Sequence, residues 1–360
     1  MDKFKRIGKR WRESVDRTKE YKVVESQYIY EDERPTGFGT GYVTYKEYDV
    51  AQRLKQKLLA AHQNASLEKT IPGEEIQTAG GICYRITTQS PIELVKIDPA
   101  FARGKIVSEL TLLKGVGLKT AARLREQGYH TIDDLRRHSR FGHEAESLLG
   151  LIEQCNTTEL VGWMARWLPK SHPLVLCSSG FHRCEDFVVL DIETMGLFGR
   201  PIILFGLAQV AGSTITVHQY LLREIDEEPA ALFAVLGHVT ERTVFVTFNG
   251  RTFDLPYIRE RLAYYGMAAD LEHPHFDILH FSRRTFRDFV PDCRLSTLEK
   301  HLFGTIRHND LPSALVPEFY ETYLLTKNCG PLVPIVEHNR QDILSLASLF
   351  SELNSILTKG

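Results

Sequence analysis

The spacing of apolar residues separates an N-terminal part of the 360-residue chain from a larger part in which strands and helices alternate. Apolar positions recur at three- to four-residue steps over 50–62, which predicts a helix. Residues 80–88 follow a glycine turn and have the β-branched and aromatic composition of a strand. These elements indicate an α+β region of unknown role at 1–100.

Residues 101–156 have the pattern of short helices joined by tight turns. Gly115 and Gly117 enclose one apolar residue, and helical spacing resumes directly after them. Glycines before a helix expose backbone N–H groups at its positive end, which favours a phosphate ligand, and Lys119 and Arg123 add positive charge. The segment resembles a helix-hairpin-helix module, and the resemblance implies sequence-independent binding to a DNA backbone. A module kept for packing or protein contact is the alternative.

Residues 157–186 contain prolines and a Ser-Ser-Gly run, which predict a connector. From residue 187 to 360, apolar strands alternate with amphipathic helices, which indicates an α/β domain. We predict strands at 187–194, 201–211, 214–222 and 241–250, and helices at 229–238, 255–265, 275–287, 295–302, 313–325 and 333–357.

Composition and charge narrow the function classes. Hydrophobic content of 43% and charged content of 25% are typical of a soluble globular protein. The chain has no apolar run of about 18 residues, so we expect no membrane span. The basic N-terminus lacks the apolar segment of a secretory signal. Basic segments at 1–20 and 101–140, on a chain of net charge −2, suggest an anionic partner, and solvated faces are the alternative.

The six cysteines are scattered and include no Cys-x-x-Cys pair. This distribution favours reduced thiols over a disulfide framework, and we therefore expect a cytoplasmic protein. Cys177, His182 and Cys184 could form half of a zinc site, but no second half follows in the sequence. We do not expect zinc.

Two acidic residues end the strand predicted at 187–194. Residues two apart in a strand point to the same face, so Asp191 and Glu193 would project together. Neighbouring carboxylates repel each other unless a cation lies between them, and their oxygen atoms suit a hard divalent ion. For this stretch alone, a solvated strand end that carries two acids is the alternative.

Further polar residues follow the strand predicted at 241–250. Asn249 and Asp254 come where open α/β sheets place their sites, at the end of a strand. Near the C-terminus, His338 and Asp342 are four residues apart and share one face of a helix.

These three stretches, in this order, resemble the DEDD exonucleases of the ribonuclease H-like superfamily, and within it the YprB-like predicted exonucleases. The resemblance covers residues 185–355. It implies an α/β fold with a ribonuclease H-like mixed sheet flanked by helices, preceded by the small all-α helix-hairpin-helix region and the α+β N-terminal region. It also implies two Mg²⁺ or Mn²⁺ ions, held by Asp191, Glu193, Asp254 and Asp342. His338 matches the general base, with a histidine at the spacing that the superfamily uses for tyrosine.

The resemblance further implies two-metal-ion hydrolysis of phosphodiester bonds from the 3′ end. The helix-hairpin-helix favours DNA over RNA as the substrate. An RNA exonuclease, an endonuclease for branched DNA and a non-catalytic DNA-binding protein are the alternatives. Asn249, Asp277 and Arg294 are candidates for substrate contacts, and the sequence indicates no particular protein partner.

Overall fold

The computed structural model of the chain describes residues 21–25, 41–196, 199–307 and 310–359. Most of the predicted elements lie in these ranges, whereas the basic segment at 1–20 lies outside the described residues. Their strands are β1 (Tyr21–Val24), β2 (Gly41–Thr44), β3 (Glu74–Thr78), β4 (Gly81–Pro91), β5 (Phe187–Thr194), β6 (Ile202–Ala211), β7 (Thr214–Leu221), β8 (Val244–Thr247) and β9 (His275–Asp277).

The α-helices surround these strands, and short 3₁₀ turns connect several of them. They are α1 (Tyr45–Ala61), α2 (Leu67–Thr70), α3 (Pro99–Val107), α4 (Leu118–Glu126), α5 (Gly142–Glu153), α6 (Thr157–Met164), α7 (Pro173–Cys177), α8 (Glu228–Leu236), α9 (Asp254–Tyr265), α10 (Ile278–Phe286), α11 (Leu295–Phe303), α12 (Val316–Thr326) and α13 (Leu332–Lys359). Within the described ranges, no helix is both long enough and apolar enough to span a membrane.

Seven strands form one mixed sheet in the order β3-β4-β7-β6-β5-β8-β9, while β1 and β2 pair separately. Neighbours from β3 to β5 are antiparallel, whereas β5, β8 and β9 run parallel to one another. Since helices flank this sheet, the predicted α/β fold with a mixed sheet is confirmed.

Alternate residues of β5 pack into two hydrophobic cores on opposite faces of the sheet, as the two-residue period of a strand requires. Val188 and Leu190 belong to one core, together with α8, α9 and α12. Phe187 and Val189 belong to the other, together with α3 to α7 and α10. The region predicted as a helix-hairpin-helix therefore shares a hydrophobic core with the strand that carries the acids.

The sheet also includes β3 and β4, which lie in the region predicted at 1–100. β4 pairs with β7 along its length, from Tyr84 opposite Leu221 to Pro91 opposite Thr214. The division of the chain at residue 100 stays a prediction, but strands from both sides of it share one sheet. The segment predicted as a connector at 157–186 contains α6 and α7.

Two predicted elements differ from the structure near the end of β8. The helix predicted at 275–287 begins only at Ile278, because the three residues before it form β9 and pair in parallel with β8. The strand predicted at 241–250 is reduced to β8. Thr243 closes a turn before it by donating its N–H to the carbonyl of Thr240, and Asn249 has a left-handed backbone with φ of 69° after it.

Candidate active site

The four acids predicted to bind metal line one cavity of about 340 Å³. The cavity lies near the carboxyl ends of the neighbouring parallel strands β5 and β8. Asp191 and Glu193 lie on β5, Asp254 is the first residue of α9 just after β8, and Asp342 lies on α13. Because β5 and β8 are adjacent and parallel, their carboxyl ends meet at the same edge, which is where open α/β sheets place ligands. Asn249 also lines this cavity.

Hydrogen bonds connect the elements that carry the acids. The backbone N–H of Ile192 donates to Oδ1 of Asp254 at 3.2 Å, which joins β5 to α9. The side-chain amide of Asn339 donates to Oδ2 of Asp191 at 2.7 Å and to its backbone carbonyl at 3.2 Å, which joins α13 to β5. Both bonds position a carboxylate relative to a different part of the chain.

Asn339 is itself held by close packing of α13 against the middle of the sheet. Its carbonyl oxygen accepts a hydrogen bond from the side chain of Gln219 at 2.8 Å. A Cβ atom at Gly206 would lie only 2.0 Å from that oxygen, so a glycine on β6 permits the approach. The position of Asp342 on α13 therefore depends on Gly206, which has no side chain that could take part in binding or catalysis.

Three carboxyl groups of the cavity, those of Asp191, Glu193 and Asp254, form no ion pair with Lys or Arg among the residues that the structure describes. Burial raises the pKa of Glu193 to about 8 and that of Asp254 to about 7. Burial also raises the pKa of Asp191 well above its ordinary value, and the charges of Asp342, Asp254 and Glu193 add to this rise. Such a set of oxygen ligands with unbalanced negative charge fits hard divalent cations.

The predicted general base lies beside these acids. Nε2 of His338 is 3.5 Å from Oδ2 of Asp342 and 3.8 Å from Oε1 of Glu193. Its Nδ1 is 2.8 Å from Oδ1 of Asp310, and Oγ of Ser313 is 3.2 Å from Nε2. A histidine with Nδ1 bonded to a carboxylate presents Nε2 to the acids.

The protonation of His338 depends on the charge around it. Burial lowers its pKa, but the hydrogen bond to Asp310 and the charges of Asp342 and Glu193 outweigh burial and raise the pKa to about 9. With uncompensated carboxylates nearby, the imidazole thus holds its proton at neutral pH. A cation that offsets those carboxylates would lower this pKa towards its ordinary value.

Asp342 has a positively charged partner as well, because its Oδ1 forms an ion pair with Arg307. In this arrangement, no three His, Cys, Asp or Glu side chains of the described ranges are grouped so as to hold a metal ion. This statement also covers the cysteines considered for zinc: Cys177 is buried, and Nε2 of His182 lies 2.8 Å from Oγ1 of Thr157. The two-ion site therefore stays a prediction.

The three predicted substrate contacts occupy different environments. Asn249 lines the cavity, whereas Arg294 is exposed and is not among the residues that line it. Asp277 is buried, and its carboxylate accepts the backbone N–H groups of Asn249 at 2.8 Å and Arg251 at 3.2 Å. Asp277 therefore shapes the loop that presents Asn249, and it caps α10 by accepting the N–H of Leu279 at 3.3 Å.

The residues predicted to bind DNA form a turn and one exposed helix face. Gly115 has a φ of 79°, a left-handed conformation that glycine adopts without strain, and Gly117 directly precedes α4. Lys119 and Arg123 are one helical turn apart, and both are exposed without an acidic partner among the residues that the structure describes. Arg140 also approaches the turn, since its Nη2 would lie 3.5 Å from a Cβ at Gly115.

Several residues of these sites had no clear signal in the sequence. Asn339 is adjacent to His338 and could have been singled out, but Asp310 and Arg307 lie in an irregular segment. Arg140 is separated from the glycine turn by a helix and two further turns, so no local pattern connects it to Gly115.

Comparisons with known proteins agree with this geometry. Residues 188–354 match the sequence model of a family described as "RNase_H superfamily". This segment is similar to ribonuclease H superfamily domains. The domain extends from β5 into α13 and contains all four acids and His338. Similarity to this superfamily suggests a nuclease and hence a nucleic-acid substrate.

The chain is also similar to "Uncharacterized protein YprB" of Bacillus subtilis (strain 168). The two are 31% identical over 202 residues, which cover 55% of this chain and 48% of the relative. The chain thus spans about half the length of the curated relative that it matches. The predicted resemblance to ribonuclease H-like and YprB-like proteins is confirmed, while the DEDD subtype stays a prediction.

Proposed function

We propose that this protein is a metal-dependent 3′–5′ exonuclease of the DEDD type that hydrolyses DNA. The observation that carries this proposal is the convergence of Asp191, Glu193, Asp254 and Asp342 on one cavity of a ribonuclease H superfamily domain. Three of these acids are buried or half-buried and have raised pKa values, so the cavity favours cations.

The four acids would share the metal ligation. Asp191 and Glu193 on β5, Asp254 on α9 and Asp342 on α13 would hold the two ions. Two divalent ions supply an activated water and stabilise the charge on the leaving oxygen. Only carboxylate oxygens are available in this set, which favours Mg²⁺ or Mn²⁺ over zinc.

His338 would accept the proton of the attacking water at Nε2. Its Nδ1 is bonded to Asp310, which fixes the direction of the ring and leaves Nε2 towards Glu193 and Asp342. Asp310 therefore has a positioning role like that of other carboxylates that orient a histidine. Once cations offset the neighbouring carboxylates, the pKa of His338 falls into the range that suits a general base.

DNA is the proposed substrate because of the helix-hairpin-helix region. Its turn at Gly115 precedes α4, and the exposed cations at Lys119 and Arg123 follow within the same helix. Backbone N–H groups and exposed cations bind phosphates without reading sequence. An exonuclease that degrades DNA of any sequence needs this kind of contact.

A cleavage assay on end-labelled single-stranded DNA, duplex DNA and RNA tests the proposal. We expect DNA to shorten from its 3′ end with Mg²⁺ or Mn²⁺ and to remain intact with chelator. Asp191→Asn should slow cleavage roughly 10³-fold, because it removes metal ligation worth several kcal/mol. Asp288→Asn, at an exposed acid outside the cavity, is the matched control.

Each part of the proposal has its own contrary result. Cleavage of RNA alone would exclude DNA as the substrate, and internal cuts in place of a ladder would exclude an exonuclease. Full activity of folded Asp191→Asn would exclude this cavity as the active site.

A further inference from the structure

Arg307 places a positive charge against Asp342, one of the acids of the cavity, although nothing in the sequence pattern assigns it a role. It follows α11, in the segment that leads to α12, and its side chain is only 10% exposed. Its guanidinium pairs with Asp342 and, at 2.7 Å, with Glu299, and it lies 3.6 Å from Asp310. It therefore contacts one predicted metal ligand and the carboxylate that orients His338.

Glu299 anchors this arginine from the side away from the cavity. Its side chain is 1% exposed, lies on α11 and does not line the acidic cavity. One of its oxygens accepts from Nε of Arg307 and the other from the side chain of Gln341. The guanidinium thus has a permanent partner in Glu299, so Asp342 is a second partner that it can release without becoming unpaired.

Both oxygens of Asp342 face positive groups in this arrangement. Oδ1 pairs with Arg307, and Oδ2 is 3.5 Å from Nε2 of His338. A divalent ion bound to Asp342 would lie within a few ångströms of the guanidinium, where two positive charges repel each other strongly in a partly buried site. Metal and arginine therefore compete for the same carboxylate.

We propose that Arg307 is a resident counter-cation that holds Asp342 in the metal-free protein and yields it to the metal, so that it lowers the affinity of the site for divalent ions. This inference rests on the proposed function, because it takes Asp342 to be a metal ligand. On metal binding, Arg307 keeps its contact with Glu299 and gives up its contact with Asp342.

Isothermal titration with MnCl₂, without nucleic acid, tests the inference independently of activity. Arg307→Gln keeps an amide donor for Glu299 but removes the charge, and we expect it to bind Mn²⁺ about tenfold more tightly. Arg307→Lys keeps the charge without the forked geometry, and its affinity should lie between those of wild type and Arg307→Gln. Arg287→Gln, at an exposed arginine paired with its neighbour Asp288, is the control and should match wild type.

A purely structural role for Arg307 gives the opposite result. If the arginine only braces Asp342 in a binding position, Arg307→Gln would bind Mn²⁺ more weakly than wild type or equally well, and either outcome overturns the inference. Thermal melts of each variant identify any that fails to fold, and Arg307→Lys then carries the comparison.

Asp191→Asn, titrated in parallel, separates this inference from the proposed function. Binding by wild type, loss in Asp191→Asn and no gain in Arg307→Gln would overturn only the role of Arg307. Tight binding by Arg307→Gln alone would support the inference most strongly. No binding by any variant would overturn both proposals.

Discussion

The acidic cavity and the surface of α4 carry their charges in opposite ways. The cavity collects carboxylates from three distant parts of the chain and encloses them, so that Glu193 and Asp254 are buried. The surface of α4 presents Lys119 and Arg123 one turn apart and exposed to solvent. One site concentrates charge in a low-dielectric interior, and the other disperses it in water.

Because of this difference, we expect charge to affect both stability and function in the cavity, but function alone on the surface of α4. Like charges in water are screened over about 10 Å and have little effect on folding. Like charges inside a protein raise one another's pKa values and destabilise the ionised fold, as they do at Asp191. We therefore expect substitutions in the cavity to change stability and activity in opposite directions, and substitutions on α4 to change binding alone.

Asp254→Asn tests the cavity side with the largest expected effect. An asparagine oxygen can still accept the N–H of Ile192, but the charge is lost. We expect cleavage to fall roughly 10³-fold, and the melting temperature in chelator to rise by about 4 °C because repulsion is relieved. Kinetic assays and thermal melts measure the two effects. A lower melting temperature would show that the carboxylate contributes to the fold itself.

Gly206→Ala tests whether the cavity depends on the packing of α13. The added methyl group would displace Asn339 and with it the hydrogen bond to Asp191. We expect the free energy of unfolding in urea to fall by about 2 kcal/mol, as for other overpacked cores, and cleavage to decrease as well. Gly150→Ala, inside α5 with nothing within 4 Å of the new Cβ, is the control. Equal stability of the two variants would contradict this packing argument.

The double reversal Lys119→Glu with Arg123→Glu tests the surface side. Because it removes phosphate contacts, we expect duplex DNA to bind roughly tenfold more weakly at about 0.1 M salt, with a smaller dependence on salt. The melting temperature should not change. Arg53→Glu with Lys57→Glu makes the same charge change at the same spacing on the exposed face of α1. Equal binding by the two double variants would assign α4 to packing or protein contact.

The last expected effect is a pH dependence of the metal-free protein. Glu193 has a folded-state pKa of about 8 against an ordinary 4.5, so the folded state keeps a proton that the unfolded state has lost. Its contribution to stability is therefore lost as pH rises from about 4.5 to about 8. The pKa of His338 is raised from 6.5 to about 9, so its contribution to stability is likewise lost as pH rises through this range.

We therefore expect the melting temperature in chelator to fall by about 4 °C between about pH 6 and about pH 8. Saturating Mg²⁺ should reduce this fall, since the ion binds the deprotonated carboxylates. A melting temperature in chelator that rises over the same interval would contradict the buried, proton-holding state of the acids.

Local patterns were enough to predict the strand and the helix that carry the charged residues of the candidate site. The apolar run before Asp191 predicts a buried strand, and the four-residue spacing of His338 and Asp342 predicts a shared helix face. Both predictions depend on periodicity alone. The structure confirms these two elements and shows that the acids line one cavity.

Contacts between distant segments could not be predicted in this way. Nothing in the composition of β4 specifies β7 as its partner, and the short β9 has too few residues to show a period. No local pattern distinguishes Gly206 from other glycines, and its importance follows only from the packing of Asn339 against it. Asp310 and Arg307 lie outside regular elements, so their positions depend on the tertiary fold.

The 28-residue helix α13 has one more consequence, which depends on its length. One part of it carries Asp342. About 18 Å further along, Asn354 donates to the carbonyl of Val95 at 3.0 Å, in the segment that leads into α3 and the glycine turn. A single rigid rod thus spaces the acids from the start of the hairpin region. Adding one turn to it would shift that spacing by about 5.4 Å, so the number of residues in this helix would set the distance between the proposed nucleic-acid contact and the proposed cleavage site.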